Sequence, residues 1–374
     1  MDVQRLKESF ARVAMHGDEV PLFFFSDLFL RHPETRDMFP VSMTVMRDRL
    51  VHALARIVSD VDNLDGLTSY LRGLGRDHRK FGTIAEHYPL VGTSLLATLA
   101  HFNGPDWTPG LAADWRSAYD LVAQIMITAA REDEGVRPPF WEATVIAHEL
   151  RRYDISVFRI AVNEPLAYRP GQSVSIESEE RPRLWRLYSM ANAPRDDLTM
   201  DFHVRMIDGG ALSMVLTRGL AVGSRLKVGP PLGSLVYDAG PAQARRDVLL
   251  VGGSTGLAPL KAIVEQMSDL PDPPQVHLFF GARTADGLYD LADLEKMAAG
   301  FDWLTAVPVV SHEPGFAGEH GQLPAVVARS GTWREHDAYV SGPSSLVEAT
   351  VAQLTAVGVP PGQIHVEDFG WSEP

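Results

Sequence analysis

The spacing of apolar residues changes twice along the 374-residue chain. From Leu6 to about Ala130 they recur every three to four positions, which predicts amphipathic helices. From Trp141 to Gly233, short alternating or β-branched runs are separated by turn residues, which indicates an antiparallel β-barrel. After Arg245, buried strands alternate with helical stretches, as in a doubly wound parallel sheet. The predicted fold class is therefore multidomain: all-α, then antiparallel β-barrel, then α/β.

Composition marks the first boundary between these domains. The segment "REDEGVRPP", residues 131–139, is charged and ends in two prolines, where a helix cannot continue. We therefore expect domains at residues 1–134, 137–240 and 244–374.

Charge and composition exclude several classes of protein. The net charge of -14 argues against a nucleic-acid surface, and no cluster of lysine and arginine opposes it. The chain has no cysteine, which rules out disulfides, cysteine-ligated zinc and cysteine-ligated iron–sulfur clusters. The N-terminus lacks an apolar signal core, and no apolar run approaches the ~20 residues that span a bilayer. We expect a cytoplasmic protein with small-molecule partners.

One histidine in the helical third lies on an apolar face. In "LRGLGRDHRKFG", His78 shares a predicted helical face with Leu71, Leu74, Phe81 and Ala85. A buried neutral imidazole needs a partner. That partner is either a carbonyl, which makes His78 an ordinary core residue, or an iron atom, which makes it an axial haem ligand. The pattern by itself favours the ordinary residue.

The stretch "WRLYS" in the middle third combines three side chains that suit a flavin nucleotide. As a strand it places Arg186 and Tyr188 on one face and Leu187 on the other. Arginine can hold a pyrophosphate, tyrosine can stack on a flat ring, and the hydroxyl of Ser189 can bond to that ring. These residues predict FAD, and a plain barrel strand is the alternative.

A glycine pair precedes the short helix of the same third, in "GGALSMVLTRG". Backbone amides of Gly209 and Gly210, with the hydroxyl of Ser213, can form an anion site at a helix N-terminus. The pair can also be only a tight turn. Together with Arg186 it predicts the site of the FAD pyrophosphate.

The last third opens with a buried strand, a glycine-rich turn and a helix, in "VLLVGGSTGLAP". The turn consists of Gly252, Gly253, Ser254, Thr255 and Gly256, and it lets a backbone approach a phosphate closely. It departs from the literal G-x-G-x-x-G fingerprint.

Two charged residues, which follow the next predicted strand, indicate how the nicotinamide nucleotide binds and which nucleotide is preferred. Arg283 is predicted to contact a cofactor phosphate. Asp286 would repel a ribose 2′-phosphate, which favours NADH over NADPH.

The first third resembles the bacterial globin of flavohaemoglobins, in "FSDLFLRHPETRDMFP", "RDHRKFGTIAEHYPLVG" and "LAADWRSAYDLVAQIM". The resemblance implies that His78 is the proximal ligand of haem b, that Tyr88 approaches it and that Phe39 wedges against the porphyrin. Phe25 stands where the family usually has a distal tyrosine, and Leu50 where it has a glutamine. The family's proximal glutamate falls on Ala130, with Glu132 two residues late.

The remainder resembles the ferredoxin–NADP reductase superfamily, in "YRPGQ", "RLYS", "GGSTGLAP", "GAR" and "SGP". The resemblance implies FAD in the barrel and NAD(P)H in the last domain, where Gly342 and Pro343 belong to the nucleotide site. Ser173 replaces a tyrosine near the flavin, and Ser341 replaces a cysteine.

The tail "QIHVEDFGW" resembles the flavohaemoglobin terminus and places Glu367 and Phe369 at the flavin. An ordinary last strand with a packed phenylalanine is the alternative.

The three modules imply one electron path within the chain, from NAD(P)H to FAD to haem. The resemblance implies a nitric oxide dioxygenase, which oxidises nitric oxide to nitrate with dioxygen. Two alternatives stay open: a flavin reductase that passes electrons to dioxygen, and a gas-binding or sensing globin with its own reductase.

Overall fold

The chain folds into two compact units in a computed structural model that describes residues 1–60, 64–240 and 245–367. The first unit is Met1–Phe140, and the second begins at Trp141 and contains two β-sheets. The predicted order of helical, antiparallel and parallel architecture is confirmed.

The described part of the first unit is helical. Its α-helices are α1 (Val3–Ala14), α2 (Glu19–Arg31), α3 (Thr44–Ser59), α4 (Leu64–His78), α5 (His87–Asn103) and α6 (Pro109–Asp133). The side chain of Asp2 caps α1, and that of Thr108 caps α6 just before a proline. A short 3₁₀ helix, Pro33–Met38, joins α2 to the loop before α3.

The helix that carries the predicted histidine is shorter than its apolar pattern. It ends at His78, a 3₁₀ turn follows over Arg79–Phe81, and Gly82 adopts a left-handed φ of +73°. Phe81 and Ala85 therefore do not extend the α4 face, contrary to the prediction. The left-handed glycine turns the chain away, although the Phe81 ring still meets the His78 ring edge-on, with centroids 6.0 Å apart.

An antiparallel sheet begins the second unit. Its strands are β1 (Trp141–Arg152), β2 (Ile155–Val162), β3 (Ser173–Ser178), β4 (Arg186–Ser189), β5 (Thr199–Arg205) and β6 (Arg225–Leu232). They lie in the order β4-β3-β6-β1-β2-β5. A bridge between Met190, just after β4, and Phe202 in β5 brings the two edge strands together, as a barrel requires. The short α7 (Ala211–Met214) continues as a π-helical turn through Val215–Gly219.

A parallel sheet with helices completes the second unit. Its strands are β7 (Val248–Gly253), β8 (Val276–Ala282), β9 (Leu304–Val310), β10 (Glu319–His320), β11 (Asp337–Ser341) and β12 (Ile364–Val366), in the order β10-β9-β8-β7-β11-β12. The helices are α8 (Leu257–Ser268), α9 (Leu291–Gly300), α10 (Leu323–Ser330) and α11 (Ser344–Ala356). Every residue of β7 is buried, as expected for a strand covered on both faces.

None of the helices among the described residues is long and apolar enough to cross a membrane.

Candidate functional site

His78 presents one free ring nitrogen at the end of α4. Its Nδ1 lies 2.8 Å from the carbonyl oxygen of Leu74, one turn earlier. Because a carbonyl only accepts hydrogen bonds, Nδ1 carries the proton and Nε2 keeps its lone pair. Desolvation by the surrounding protein lowers the pKa of His78, so the ring is neutral at pH 7. A neutral imidazole with an oriented Nε2 is the form that ligates a metal.

Tyr88 lies in the first turn of α5 and packs on the same small apolar cluster as Leu71 and Leu74. Burial raises the pKa of its phenol to about 12. Its carbonyl accepts a hydrogen bond of 2.6 Å from the Tyr119 hydroxyl of α6. The structure thus brings Tyr88 to the cluster that also contacts the histidine helix, and its direct approach to His78 stays a prediction.

Phe25, Phe39 and Leu50 belong to one apolar cluster of the first unit. The Phe25 ring meets Phe24 and Phe39 edge-on, with centroids 5.0 Å and 5.5 Å away, and stacks on Phe29 at 5.8 Å. Phe25 is buried, whereas its neighbours towards α3 are only partly covered. Among the partly covered members of the cluster, those in α2, in α3 and in the segment between them are Phe29, Phe39, Met43, Met46, Leu50 and Leu54. This surface suits a flat apolar ring system.

The expected proximal carboxylate is engaged elsewhere. Glu132 forms an ion pair with Arg72 on α4, and the side chain of Ala130 has no polar atom. The bond that His78 Nδ1 makes goes to a backbone carbonyl, which is a weaker acceptor than a carboxylate. The imidazole therefore lacks the carboxylate partner that would make it a stronger electron donor.

Residues Arg186–Ser189 form β4, as predicted, and pair with β3. Burial lowers the pKa of Arg186, whose guanidinium donates to the Trp185 carbonyl at 2.9 Å. Within the described residues Arg186 forms no ion pair and its guanidinium bonds only to a backbone carbonyl, so its surroundings fit an anion supplied by a ligand. Burial also raises the pKa of Tyr188, which packs on the barrel core, and Leu187 lies on the opposite face of the strand.

The glycine pair before α7 forms a tight turn. Gly209 has a left-handed φ of +72°, and a Cβ on Gly210 would lie 2.4 Å from the Ser213 hydroxyl oxygen. That hydroxyl donates to the Gly210 carbonyl at 3.1 Å and accepts from the Ile207 amide at 3.1 Å. Ser213 therefore serves the turn itself, and contact of this turn with a pyrophosphate stays a prediction.

Glu367 joins the barrel to the parallel sheet. One carboxylate oxygen accepts hydrogen bonds from Ser173 at 2.9 Å and Ser189 at 2.5 Å, and the other accepts from Ser341 at 2.7 Å. The serines close β4, open β3 and close β11. Burial raises the pKa of Glu367, and the three hydroxyl bonds act in the opposite direction. Its predicted companion Phe369 lies outside the described residues.

The sequence singled out Ser173 and Ser341 only as departures from the family pattern. Each occupies a strand end that faces Glu367. Sequence spacing does not reveal this arrangement, because the participants are brought together only when the two sheets pack.

The glycine-rich turn lies between β7 and α8, as predicted. A Cβ on Gly256 would lie 2.4 Å from the Ser341 carbonyl oxygen, so this glycine is needed for a close approach of two backbones. Gly252 and Gly253 end β7, and Ser254 adopts a left-handed φ of +53° next to Thr255. Such a strained non-glycine residue is uncommon and is often found at functional sites.

Arg205, which sequence reasoning missed, reaches this turn from the barrel. Its guanidinium donates to the Ser254 hydroxyl at 3.3 Å and to the Asp154 carboxylate at 3.0 Å. It is half exposed at the end of β5. A cation at a glycine-rich turn suits a dinucleotide phosphate. The only sequence signal is an arginine at the end of a barrel strand, which does not distinguish it from many others.

Arg283 and Asp286 follow β8, as expected. Arg283 is exposed, and its carbonyl accepts from the His312 amide at 2.8 Å. The carboxylate of Asp286 accepts a hydrogen bond of 2.6 Å from Arg152 of the barrel. Because this cation balances the charge of Asp286, the repulsion on which the preference for NADH was based is weaker than predicted.

Gly342 and Pro343 connect β11 to α11. The Pro343 carbonyl accepts from the amides of Leu346 and Val347 at 2.8 and 3.0 Å, which starts the helix. A Cβ on Gly256 would lie 2.5 Å from the Gly342 nitrogen. The predicted "SGP" and glycine-rich turns are therefore in contact at the carboxyl ends of neighbouring strands, where such sheets bind ligands.

Three family models match the chain in succession. Residues 22–126 match the globin model, residues 142–237 the oxidoreductase FAD-binding domain, and residues 250–352 the oxidoreductase NAD-binding domain. A flavohemoprotein of Rhodopirellula baltica is 24% identical, and the match covers 99% of this chain and 97% of that protein. The chain belongs to the flavohaemoglobin family. It is an NAD(P)H-dependent oxidoreductase in which the modules for electron transfer lie in one chain.

Two further comparisons place this flavohaemoglobin among its relatives. The flavohemoglobin of Malassezia yamatoensis shares its fold, with a TM-score of 0.81 at 16% identity over 98% of this chain and 97% of that one. A ferredoxin–NAD(P)(+) reductase component of the naphthalene 1,2-dioxygenase/salicylate 5-hydroxylase systems of a Ralstonia species is 31% identical. That match covers 71% of this chain and 82% of the Ralstonia protein.

The cofactors of the family are haem, FAD and a nicotinamide nucleotide, and the residues present fit them. His78 offers an imidazole Nε2 to haem iron, beside a partly covered apolar surface. Arg186 is a desolvated cation that fits the FAD pyrophosphate. The turn Gly252–Gly256 and Arg205 fit the phosphates of the nicotinamide nucleotide.

Proposed function

We propose that this flavohaemoglobin oxidises nitric oxide to nitrate with dioxygen and NAD(P)H, through FAD and haem b. The observation that carries the proposal is a globin unit with the desolvated, oriented His78 in the same chain as FAD-binding and NAD-binding oxidoreductase domains. When bound, FAD takes a hydride from the nicotinamide and passes electrons singly to the haem, where the gases react.

In the globin unit, His78 would hold the iron through Nε2 while its Nδ1 proton stays on the Leu74 carbonyl. Phe25, Phe39 and Leu50 would line the ligand side and keep water out, because their exposed parts are apolar. Tyr88 would support the histidine side from the cluster that it shares with Leu74.

In the barrel, Arg186 would hold the pyrophosphate of FAD, with the backbone of the Gly209 turn on the same anion. Tyr188 and Leu187 would contact the cofactor from β4, and Ser189 would orient the flavin ring. The support is the desolvated guanidinium of Arg186 and the position of Ser189 at the strand end.

In the parallel sheet, the turn Gly252–Gly256 would receive the phosphates of NAD(P)H, with Arg205 and Arg283 as cations. Gly342 and Pro343 would lie under the nicotinamide half, because they pack on that turn. The Glu367 carboxylate accepts hydrogen bonds from three serine hydroxyls at the ends of strands in both sheets. It would thereby hold these strand ends, and the flavin and nicotinamide bound there, in position.

We propose the domain limits 1–134, 137–240 and 244–374. Helix α6 ends at Asp133, β1 begins at Trp141 and β7 begins at Val248, which supports breaks near these limits. The globin domain, cut near Gly135, is expected to bind haem without being reduced by NADH. Residues from Arg137 onward are expected to keep NADH–dye reductase activity.

We also propose a cytoplasmic location, because the reaction consumes NAD(P)H and because a chain without cysteine gains nothing from an oxidising compartment. Fractionation of the producing cell, with activity followed in each fraction, tests this.

Nitrate yield per NADH tests the function. Two nitrate ions are expected for each NADH, because the nucleotide carries two electrons and each turnover uses one. His78→Ala is the matched variant: it should lose the haem Soret band and nitrate formation while NADH–dye reductase activity persists. NADH oxidation by the wild type without nitrate would contradict the proposal.

A second candidate is an NAD(P)H reductase that passes electrons to dioxygen or to another one-electron acceptor. The observation that favours it is the higher identity with the Ralstonia reductase, 31%, than with the Rhodopirellula flavohemoprotein, 24%. Superoxide or peroxide formed in proportion to NADH, with no nitrate, would support this candidate.

A further inference from the structure

Arg36 makes three backbone contacts at the beginning of one loop. It lies in the 3₁₀ helix Pro33–Met38 and is half-buried. Nη1 donates to the carbonyl oxygens of Phe39 at 3.1 Å and Pro40 at 3.0 Å, and Nη2 donates to the Val41 carbonyl at 3.2 Å. One guanidinium therefore fixes three successive peptide groups of the loop between this 3₁₀ helix and α3.

The loop that Arg36 fixes carries an aromatic ring into the globin pocket. Phe39 has an extended backbone, and its ring meets Phe29 at 5.3 Å and Phe25 at 5.5 Å, both edge-on. The Arg36 guanidinium also lies 5.4 Å from the centroid of the Phe29 ring. Arg36 thus holds the Phe39 backbone and contacts one of the two rings against which the Phe39 side chain packs.

Arginine has a specific chemical advantage here. Its planar guanidinium presents several N–H donors in fixed directions, so one side chain can serve three carbonyls at once. A lysine has one nitrogen on a flexible stem and cannot reach three spaced carbonyls in this way. A glutamine has a single amide nitrogen and no charge.

We infer that Arg36 is a positioning residue for the haem: it fixes the loop 39–41 so that the Phe39 ring is held where it would contact the haem. This inference rests on the proposed function, because that assigns a haem to the pocket. Loss of the three bonds would let the loop and Phe39 move, and the haem would then be held less tightly and in less uniform orientation.

The experiment measures haem transfer from the full-length holoprotein to excess apomyoglobin, for wild type, Arg36→Gln, Arg36→Lys and Arg31→Gln. Arg31 is the matched control, because its guanidinium pairs with Asp27 one turn earlier in α2. We expect Arg36→Gln to lose haem about tenfold faster, the effect of one or two net hydrogen bonds. Arg36→Lys is expected to be intermediate, and Arg31→Gln to match wild type.

Circular dichroism in the Soret band is the second readout, because it reports haem orientation rather than stability. We expect it to change in Arg36→Gln and not in Arg31→Gln. Equal haem loss and equal Soret dichroism for Arg36→Gln and Arg31→Gln would overturn the inference while leaving the proposed function intact. If the wild type takes up no haem, both the inference about Arg36 and the proposed function are refuted. Should Arg36→Gln lose its far-ultraviolet helix signal, Arg36→Lys decides: faster haem loss with intact helices supports the role, and wild-type haem loss overturns it.

Discussion

The Ser341 hydroxyl donates a hydrogen bond of 2.7 Å to the Glu367 carboxylate, and Ser341 belongs to a strand whose turn also touches the glycine-rich loop. The same carboxylate accepts from two serines of the barrel. Glu367 therefore links the two sheets of the second unit, because serines from both sheets donate to its carboxylate. This arrangement makes the group sensitive to pH and to the loss of any one hydroxyl.

Replacement of Glu367 by glutamine tests how ionisation of this buried carboxyl group changes the stability of the protein with pH. Burial raises the pKa of the Glu367 side chain in the folded protein above its value in the unfolded chain. The protonated side chain therefore contributes fully to the free energy of unfolding below the pKa of the unfolded chain. This contribution is lost as the pH rises through the pKa of the folded protein. We expect Glu367→Gln to gain stability relative to wild type as pH rises from acid to neutral. The measurement is the thermal unfolding midpoint of both proteins across that range. A difference that does not change with pH would contradict a raised pKa, because it would show that Glu367 has the same pKa in the folded and unfolded protein.

Arg186→Ala should weaken FAD binding by about one to two tenfold steps, because a charge-assisted bond is worth about 1.5–3 kcal/mol. The desolvated guanidinium has no carboxylate partner among the described residues, so its loss should remove an anion contact without breaking an ion pair. Flavin content after dilution and gel filtration is the readout. Arg225→Ala, at a largely exposed arginine paired with Glu142, is the control and should keep its flavin.

Arg205→Ala should raise the KM for NADH by about tenfold and leave FAD content unchanged, since it removes about one charge-assisted contact. The cation lies on Ser254 of the nucleotide turn rather than on the flavin strand. Steady-state NADH–dye reduction gives KM and kcat separately. A fall in kcat with unchanged KM would show that Arg205 acts on the geometry of the sheets instead of on the nucleotide.

Strands of both sheets could be predicted from the sequence because alternation in the barrel and a continuous apolar run in the parallel sheet are local patterns. The segment "RLYS" forms β4, and "VLLVGG" forms the fully buried β7. The end of the histidine helix could not be predicted in this way. Its apolar period continues to Phe81, whereas Gly82 ends the regular structure through a left-handed backbone conformation.

Some details of the site could not be predicted because they depend on bonds that residue type alone does not show, either within one turn or between distant segments. The Ser213 hydroxyl bonds to the backbone of its own turn, and its contact with a phosphate stays a prediction. Asp286 looked like a free negative charge, yet Arg152 from the barrel pairs with it. In both cases a group within the protein, a backbone amide and carbonyl for Ser213 and a guanidinium for Asp286, bonds to a side chain that the sequence alone related to the cofactor phosphates.

Phe25, the residue proposed for the distal side of the haem, is buried among three other phenylalanine rings. A phenylalanine donates no hydrogen bond to a bound gas. Two polar residues of the same unit, His52 and Gln4, bond to other groups. His52 bonds through Nδ1 to the Asp48 carbonyl at 2.8 Å and is exposed, and the Gln4 amide donates to Glu8.

Phe25→Tyr would place a hydroxyl in this pocket. We expect dioxygen to leave the reduced protein about ten to a hundred times more slowly, since a bond to a partly negative acceptor is worth roughly 1.5–3 kcal/mol. Nitrate formation at low oxygen should rise with it. Stopped-flow oxygen dissociation measures the effect, with Ser94→Ala as the second variant, because the buried Ser94 hydroxyl on α5 has no hydrogen-bond partner among the residues that the structure describes. Faster oxygen loss in Ser94→Ala, with no change in Phe25→Tyr, would refute the assignment of an apolar distal pocket.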